Sequence, residues 1–293
     1  MAYLRFKGEV WFLLDNLDKG WPTHGVLADD LVIIRTLMEA TRKLEHQLRA
    51  KGVPCQTIVF LRNDIFELLV SHTSDRGKEP SARVDWEDPA ALKELLRRRL
   101  VYSGLPDEAP FEQLWGEICV GDVNGEPSDD YLIERSLMRP RGLLNSLIAC
   151  IGFAINRRHE RVEADDIRSG LANYSRDLVR DISLELRDVI GRYENVLYGF
   201  LCKPSLLTLD DVHLVFIDSG VDEADWQTVI DTLLWYGFLG CVRPAGGVRY
   251  IYDVSYNIGI LRAMIEQQPA GAPRYGINPA FWDGLEIDCG RLC

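Results

Sequence analysis

Two five-residue runs near the start of the chain, Val10-Trp11-Phe12-Leu13-Leu14 and Thr57-Ile58-Val59-Phe60-Leu61, are apolar at nearly every position. A strand of that composition has no polar face to turn to water, so it belongs in a parallel sheet covered on both sides. Between the runs, Leu31, Ile34, Leu37, Met38, Leu44 and Leu48 recur at helical spacing over residues 29–51, and Gly52 and Pro54 supply the stop. Strand, helix, strand predicts a right-handed crossover unit. Parallel strands need neighbours, yet no third run of this kind occurs before residue 205. The sheet is therefore expected to be incomplete.

The middle of the chain reads as helical. Asp88-Pro89 is an N-cap followed by proline at the first helical position, opening a helix over 90–100 whose Arg97-Arg98-Arg99 suits the helix C-terminus. Polar connectors at 104–110 and 121–128 follow. Helices are then expected over 130–138, 140–157, 163–173 and 175–192. From Tyr193 the rhythm changes. A helix over 194–202 precedes Thr208 and Asp211, which form a capping box, and Asp222 with Asp225 repeats the device before a third helix ending near Trp235. Cys241 to Tyr252, turning at Pro244-Ala245-Gly246-Gly247, reads as a hairpin. Three helices and a hairpin are the order of a winged helix, followed by a strap packed through Tyr275, Phe281 and Trp282.

Composition narrows the classes. With 293 residues, 47% hydrophobic and 27% charged, the chain is long enough for two domains with real cores. Its net charge of −12 repels phosphate backbones at long range, so any nucleic-acid contact needs a local patch. Over residues 205–256 eight acids face only Arg243 and Arg249, which turns the third helix away from DNA and towards protein. There Trp226, Leu233, Leu234, Trp235 and Tyr236 read as core or as a protein contact surface. Seven scattered cysteines form no C-x-x-C pair, against a disulfide framework or zinc knuckle, and point to a reducing cytoplasm. The acids Asp15 and Asp18 argue against a signal peptide, and the most apolar later run, residues 143–155, is too short for a bilayer. The five histidines are dispersed. Residues 157–161, Arg-Arg-His-Glu-Arg, read as a solvated helix end and the best local candidate for a phosphate contact.

The first strand ends in Asp15 and the second in Arg62-Asn63-Asp64. One crossover apart, the two strand ends would bring these groups to a common sheet edge, where a carboxylate can stand beside Mg²⁺. The run Val10 to Asp18, an apolar strand followed by Asp15-Asn16-Leu17-Asp18, resembles the Walker B segment of the P-loop ATPases of the AAA+/STAND superclass, including KAP-like and FunZ-like bacterial members. Phe60 to Phe66 resembles the sensor 1 segment of that family, Met138-Arg139-Pro140-Arg141-Gly142 its sensor 2 helix start, and Arg161 to Ile167 with Tyr174-Ser175 its last lid helices. The match spans about residues 9–285.

The resemblance implies a helix-dominated α/β fold: a partial P-loop sheet over 1–125, a helical lid over 126–192, a winged helix over 193–260 and a C-terminal strap over 261–293. It implies ATP and Mg²⁺ as cofactors, with Asp15 holding the metal. Arg62, Asn63 and Asp64 would stand at the γ-phosphate side, and Arg139 and Arg141 would act from the lid. The water-polarising position is Asn16, which cannot accept a proton as a carboxylate does, so Asp18 would serve or hydrolysis would be slow. No G-x-x-x-x-G-K-[ST] cradle is present; the only Gly-Lys pair, Gly77-Lys78, lacks the preceding glycine. The expectation is the C-terminal part of an ATPase switch in regulation or defence. An upstream or separate P-loop segment would complete it, and it would meet a protein partner through the winged helix. The alternative is a non-catalytic adaptor with that winged helix.

Overall fold

The computed structural model describes residues 8–17, 28–63, 65–66, 69, 81–82, 84, 86–190, 192–193, 195–269 and 271–288. The chain divides into two compact units, residues 1–83 and 84–293. Helices dominate and the sheets are small. No described helix is long and apolar enough to cross a membrane.

In the first unit, β1 (Val10–Leu14) and β2 (Cys55–Val59) pair in parallel, from Val10 opposite Cys55 to Leu14 opposite Val59. Helix α1 (Ala28–Ala50) joins them. The second strand begins two residues earlier than its most apolar run. Cys55 is drawn into the buried group of Leu48 and Val53, and the Arg49 guanidinium at the end of α1 donates to the Cys55 carbonyl at 2.9 and 3.1 Å. Leu31 and Ile34 of α1 pack on Ile65 and Leu69. Burial along both strands alternates. Val10 and Phe12 pack against the Leu48–Val53–Cys55 group, while Trp11 and Leu13 are 50% and 60% exposed and Ile58 joins them. The expectation of strands covered on both faces is thus corrected: a pleated strand presents successive side chains to opposite faces, and here only one face is covered.

The second unit opens with α2 (Pro89–Tyr102), capped as expected by Asp88, which accepts from the Ala90 amide at 2.9 Å. Next comes α3 (Phe111–Ile118), in a stretch where the sequence predicted no element; it buries Leu114 and Trp115. A small hairpin, β3 (Asp122–Val123) and β4 (Glu126–Pro127), leads into α4 (Ser128–Glu134). Helix α5 (Pro140–Arg157) has the predicted bounds. Helix α6 (Ala164–Ile190) is one continuous element of 27 residues where two helices were expected. Tyr174 and Ser175 do not break it. Ser175 is buried, and its Oγ accepts from the Gly284 amide at 2.8 Å, so the polar residue docks another segment. Helices α2 to α6 share one apolar cluster that includes Leu92, Leu96, Leu132, Leu147 and Leu171.

Of the basic stretch 157–161, Arg157, His159 and Arg161 are engaged by neighbouring acids, while Arg158 stays exposed as the solvated helix end expected. Asp166, fully buried in the first turn of α6, accepts from Arg157 Nη1 at 2.7 Å and the Glu163 amide at 3.0 Å, and lies 2.7 Å from His159 Nδ1. Burial alone would raise its pKa, but the bonds from His159, the Glu163 amide and Arg157 outweigh it and hold the carboxyl below the usual range. Arg161 pairs with Glu163. A buried carboxylate thus clasps the α5–α6 turn.

After α6, a 3₁₀ turn (Val196–Phe200) precedes β5 (Leu206–Leu207) and α7 (Leu209–Asp218). The predicted capping box is present: Asp211 N donates to Thr208 Oγ1 at 3.2 Å and Thr208 N to Asp211 Oδ2 at 2.8 Å. Helix α8 (Trp226–Trp235) has no such box. Asp222 and Asp225 instead accept from the Tyr193 hydroxyl, at 3.1 and 2.9 Å, and from Arg192, tying the α6 exit to the α8 start. Leu233, Leu234 and Tyr236 are buried core, with the partly buried Trp226 and Trp235 packed against it, as the core reading expected.

Strands β6 (Leu239–Val242) and β7 (Val248–Arg249) form the hairpin, α9 (Ile258–Glu266) packs on the module, and β8 (Tyr275–Ile277) follows. The sheet order is β5-β8-β6-β7. The segment expected as a strap supplies an interior strand, all three residues of which are buried. Gly240 and Gly276 face each other across β6 and β8, and a methyl on either would run into Val248, which is why both are glycine.

Candidate functional site

Two places carry the residues that the sequence singled out, one in each unit. In the first unit, the register that pairs Leu14 with Val59 continues as a hydrogen bond from the Phe60 amide to the Leu14 carbonyl at 2.9 Å. Asp15 and Arg62-Asn63 therefore leave the same carboxyl edge of adjacent strands. Asp15 is exposed, and its Oδ1 accepts from the Asn16 amide at 2.8 Å. Asn16 is in the left-handed region, φ 59°, so the chain turns sharply directly after the carboxylate. Behind this edge, Asn63 Nδ2 and Thr57 Oγ1 are buried without a hydrogen-bond partner, which for buried polar atoms calls for an explanation. Asp18 and Asp64 lie outside the described residues.

A Mg²⁺ site fits this edge in composition. The ion keeps waters and is held by one or two carboxylates together with substrate phosphates. Among the described residues Asp15 supplies an exposed carboxylate, and Asn63 Nδ2 is an unspent donor for an anion. No cluster of three or more metal-ligating side chains occurs among the described residues.

In the second unit, Arg139 is the N-cap residue of α5 and Pro140 its first residue. Backbone amides at a helix N-terminus attract anions. Two non-glycine residues in the left-handed region, Leu137 at φ 55° and Met138 at φ 52°, deliver the chain to Arg139. Such paired outliers persist only where the surroundings over-determine them. Gly142 lies so close to the Ser136 carbonyl and the Tyr174 hydroxyl that a side chain there would collide. Burial pushes the Tyr174 hydroxyl up to about 12 while Arg139 pulls the other way. Beside Arg139 a cavity of about 70 Å³ is lined by Trp86, Glu87, Met138, Pro140, Tyr252 and Tyr256. Arg141 is exposed on the outer side of α5. Nothing in the sequence marked Trp86, Tyr252 or Tyr256, because three distant segments meet only through tertiary packing.

Residues 90–183 match the family model described as the FunZ-associated C-terminal helical domain. This covers α2 to α6 almost entirely, and it is about a third of the chain. Across 97% of its length the chain is also similar, at 21% identity, to an 80.3 kDa protein assigned to transposon gamma-delta of Escherichia coli (strain K12). The chain spans 41% of that relative's length. No solved structure matches it.

Proposed function

We propose that the chain is the C-terminal part of a P-loop ATPase of the AAA+/STAND type, acting as a nucleotide-dependent switch. The observation that carries this reading is the two-stranded parallel sheet with Asp15 and Arg62-Asn63 at one carboxyl edge and an apolar second face, Trp11, Leu13 and Ile58, exposed. A two-stranded sheet with a bare face is marginal by itself. Further strands and helices carrying the phosphate cradle would cover it and complete the nucleotide site. In this reading Asp15 orients Mg²⁺, Asn63 and Arg62 contact the anion, and Arg139 and Arg141 are the anion-binding residues of the second unit. Bound ATP and Mg²⁺ would supply the phosphoryl chemistry. The match to the FunZ-associated C-terminal helical domain and the similarity to a transposon protein are compatible with a switch serving mobile genetic elements.

The order of the last module, 3₁₀ turn, β5, α7, α8 and the β6–β7 hairpin, is that of a winged helix, and we read it as one. Its third helix, α8, contains no Lys or Arg. Groove reading requires basic side chains to phosphates, so the module is proposed as a protein-binding element.

A second reading, a non-catalytic adaptor, is favoured by Asn16. Its side chain cannot take a proton, and its backbone is committed to the turn after Asp15.

Calorimetry separates these readings. Residues 1–293 alone should bind no Mg-ATP at micromolar affinity, and co-expression with a P-loop segment should restore hydrolysis that Asp15→Ala removes. Micromolar binding by the chain alone would overturn the incomplete site. Binding without hydrolysis in the completed protein would favour the adaptor.

A further inference from the structure

Helix α5 contains no acid, although the chain as a whole carries a charge of −12. Its solvent side runs through Arg141, Asn145, Ile148, Gly152 and Ile155, positions that share one face at 3.6 residues per turn. Ile148 is 64% exposed and Ile155 68%. They stand about 10 Å apart along the axis at 1.5 Å per residue, and nothing lies near Gly152 between them. Arg141 and the C-cap residue Arg158 bracket this stripe, and neither has an ion-pair partner among the described residues. An apolar stripe between unspent arginines fits an apolar surface edged by carboxylates.

The same unit carries that surface. Helix α7 contains no Lys or Arg. Leu214 is 56% exposed and Ile217 59%, and they share a face with Asp210 and Asp218. Asp211 is held by the Thr208 cap and acted on by Lys203, whereas Asp210 and Asp218 have no partner among the described residues. The 3₁₀ turn packs Gly199 against Val215 and Ser219, which brings exposed Tyr198 and Leu201 to the same end of α7.

We propose that these two faces are complementary halves of one self-association interface: the Arg141–Ile148–Ile155–Arg158 face of one copy docks on the Asp210–Leu214–Ile217–Asp218 face of the next. The contact is heterologous, so each copy keeps one face of each kind open, and association grows into a ring or an open chain instead of stopping at a two-fold dimer. Copies of like net charge repel at long range, but at about 0.15 M salt the screening length is near 8 Å, and local opposite charges decide the fit. The inference does not rest on the nucleotide reading, since neither face includes the residues assigned to it beyond Arg141.

Sedimentation velocity at that salt, from micromolar to near-millimolar protein, tests it. The chain should form species larger than a dimer as concentration rises. Ile148→Asp with Ile155→Asp blocks one face, and Leu214→Asp with Ile217→Asp blocks the other; both pairs are at exposed positions, and far-UV circular dichroism verifies folding. Each blocked variant alone should remain monomeric, and the two mixed should form a one-to-one dimer through their intact faces. Arg158→Glu should weaken that dimer by about tenfold, and Asp218→Lys on the other partner should restore part of it. A monomer at every concentration, association that survives blocking one face, or the absence of a mixed dimer would each overturn the proposal.

Discussion

The sheet of residues 10–59 and the sheet of residues 206–277 use similar apolar strands under opposite conditions. In the first, two strands pair in parallel and side chains alternate between cover and solvent, with Trp11 and Leu13 on the open side. In the second, β8 lies between β5 and β6 and is buried throughout, behind it the chain of rings Phe200, Phe238 and Phe281, each edge-on to the next at 5.0 Å. The difference teaches that an apolar run states what a strand requires, not what the chain provides. The second unit supplies its own cover from distant segments; the first leaves a face bare.

Substitutions can break this comparison. The largest effect is expected for Phe281→Ala, which removes a fully buried ring from the second core. It should lower stability by about 3–5 kcal/mol, read from the denaturant midpoint of the transition that reports on residues 84–293. A loss under ~1 kcal/mol would mean that this core is loosely packed. Next is the clasp at Asp166. Asp166→Asn leaves Arg157 and His159 without their carboxylate and should destabilise by about 2 kcal/mol near neutral pH. The sign in pH follows from the direction of the shift. The folded carboxyl lies below its ordinary value, so its contribution is present above that ordinary value and disappears as pH falls through the folded one. Thermal melts of wild type and variant should therefore differ at pH 7 and converge in acid; parallel curves down to the lowest pH would contradict the assignment.

Smaller effects sharpen the contrast. Thr208→Ala removes one side of a complete capping box and should cost about 1 kcal/mol, measured by the same denaturant titration. Leu13→Ser, on the bare face of the first sheet, should change stability by less than ~0.5 kcal/mol and lower the protein's tendency to aggregate in light scattering. A loss above ~2 kcal/mol there would show that the face is covered in solution.

Local signals were legible wherever the determinant lay within a few residues. The Asp88-Pro89 start, the bounds of α5 and the Thr208–Asp211 box all follow from neighbours in sequence. Readings failed where a distant partner decided. Helix α6 runs on through Ser175, whose hydroxyl is spent on the Gly284 amide, Asp222 and Asp225 serve Tyr193 and Arg192 instead of capping, and Arg157 and His159 bond to Asp166. Of the candidate site, the shared edge of Asp15 and Arg62-Asn63 was readable from strand order. The cavity beside Arg139 was not, because Trp86, Tyr252 and Tyr256 come from separate stretches of chain.

The interior position of β8 also sets a timetable for synthesis. Strand β5 finds no partner until residues 275–277 exist, since its ladder runs to β8 alone. A ribosome delivers residues at roughly 5–20 per second, so β5 waits several seconds, already made, for the strand that pairs with it. During that interval the module is an open book, and a pause in translation between α9 and β8 would lengthen the time in which a chaperone or a neighbouring nascent chain can read its pages.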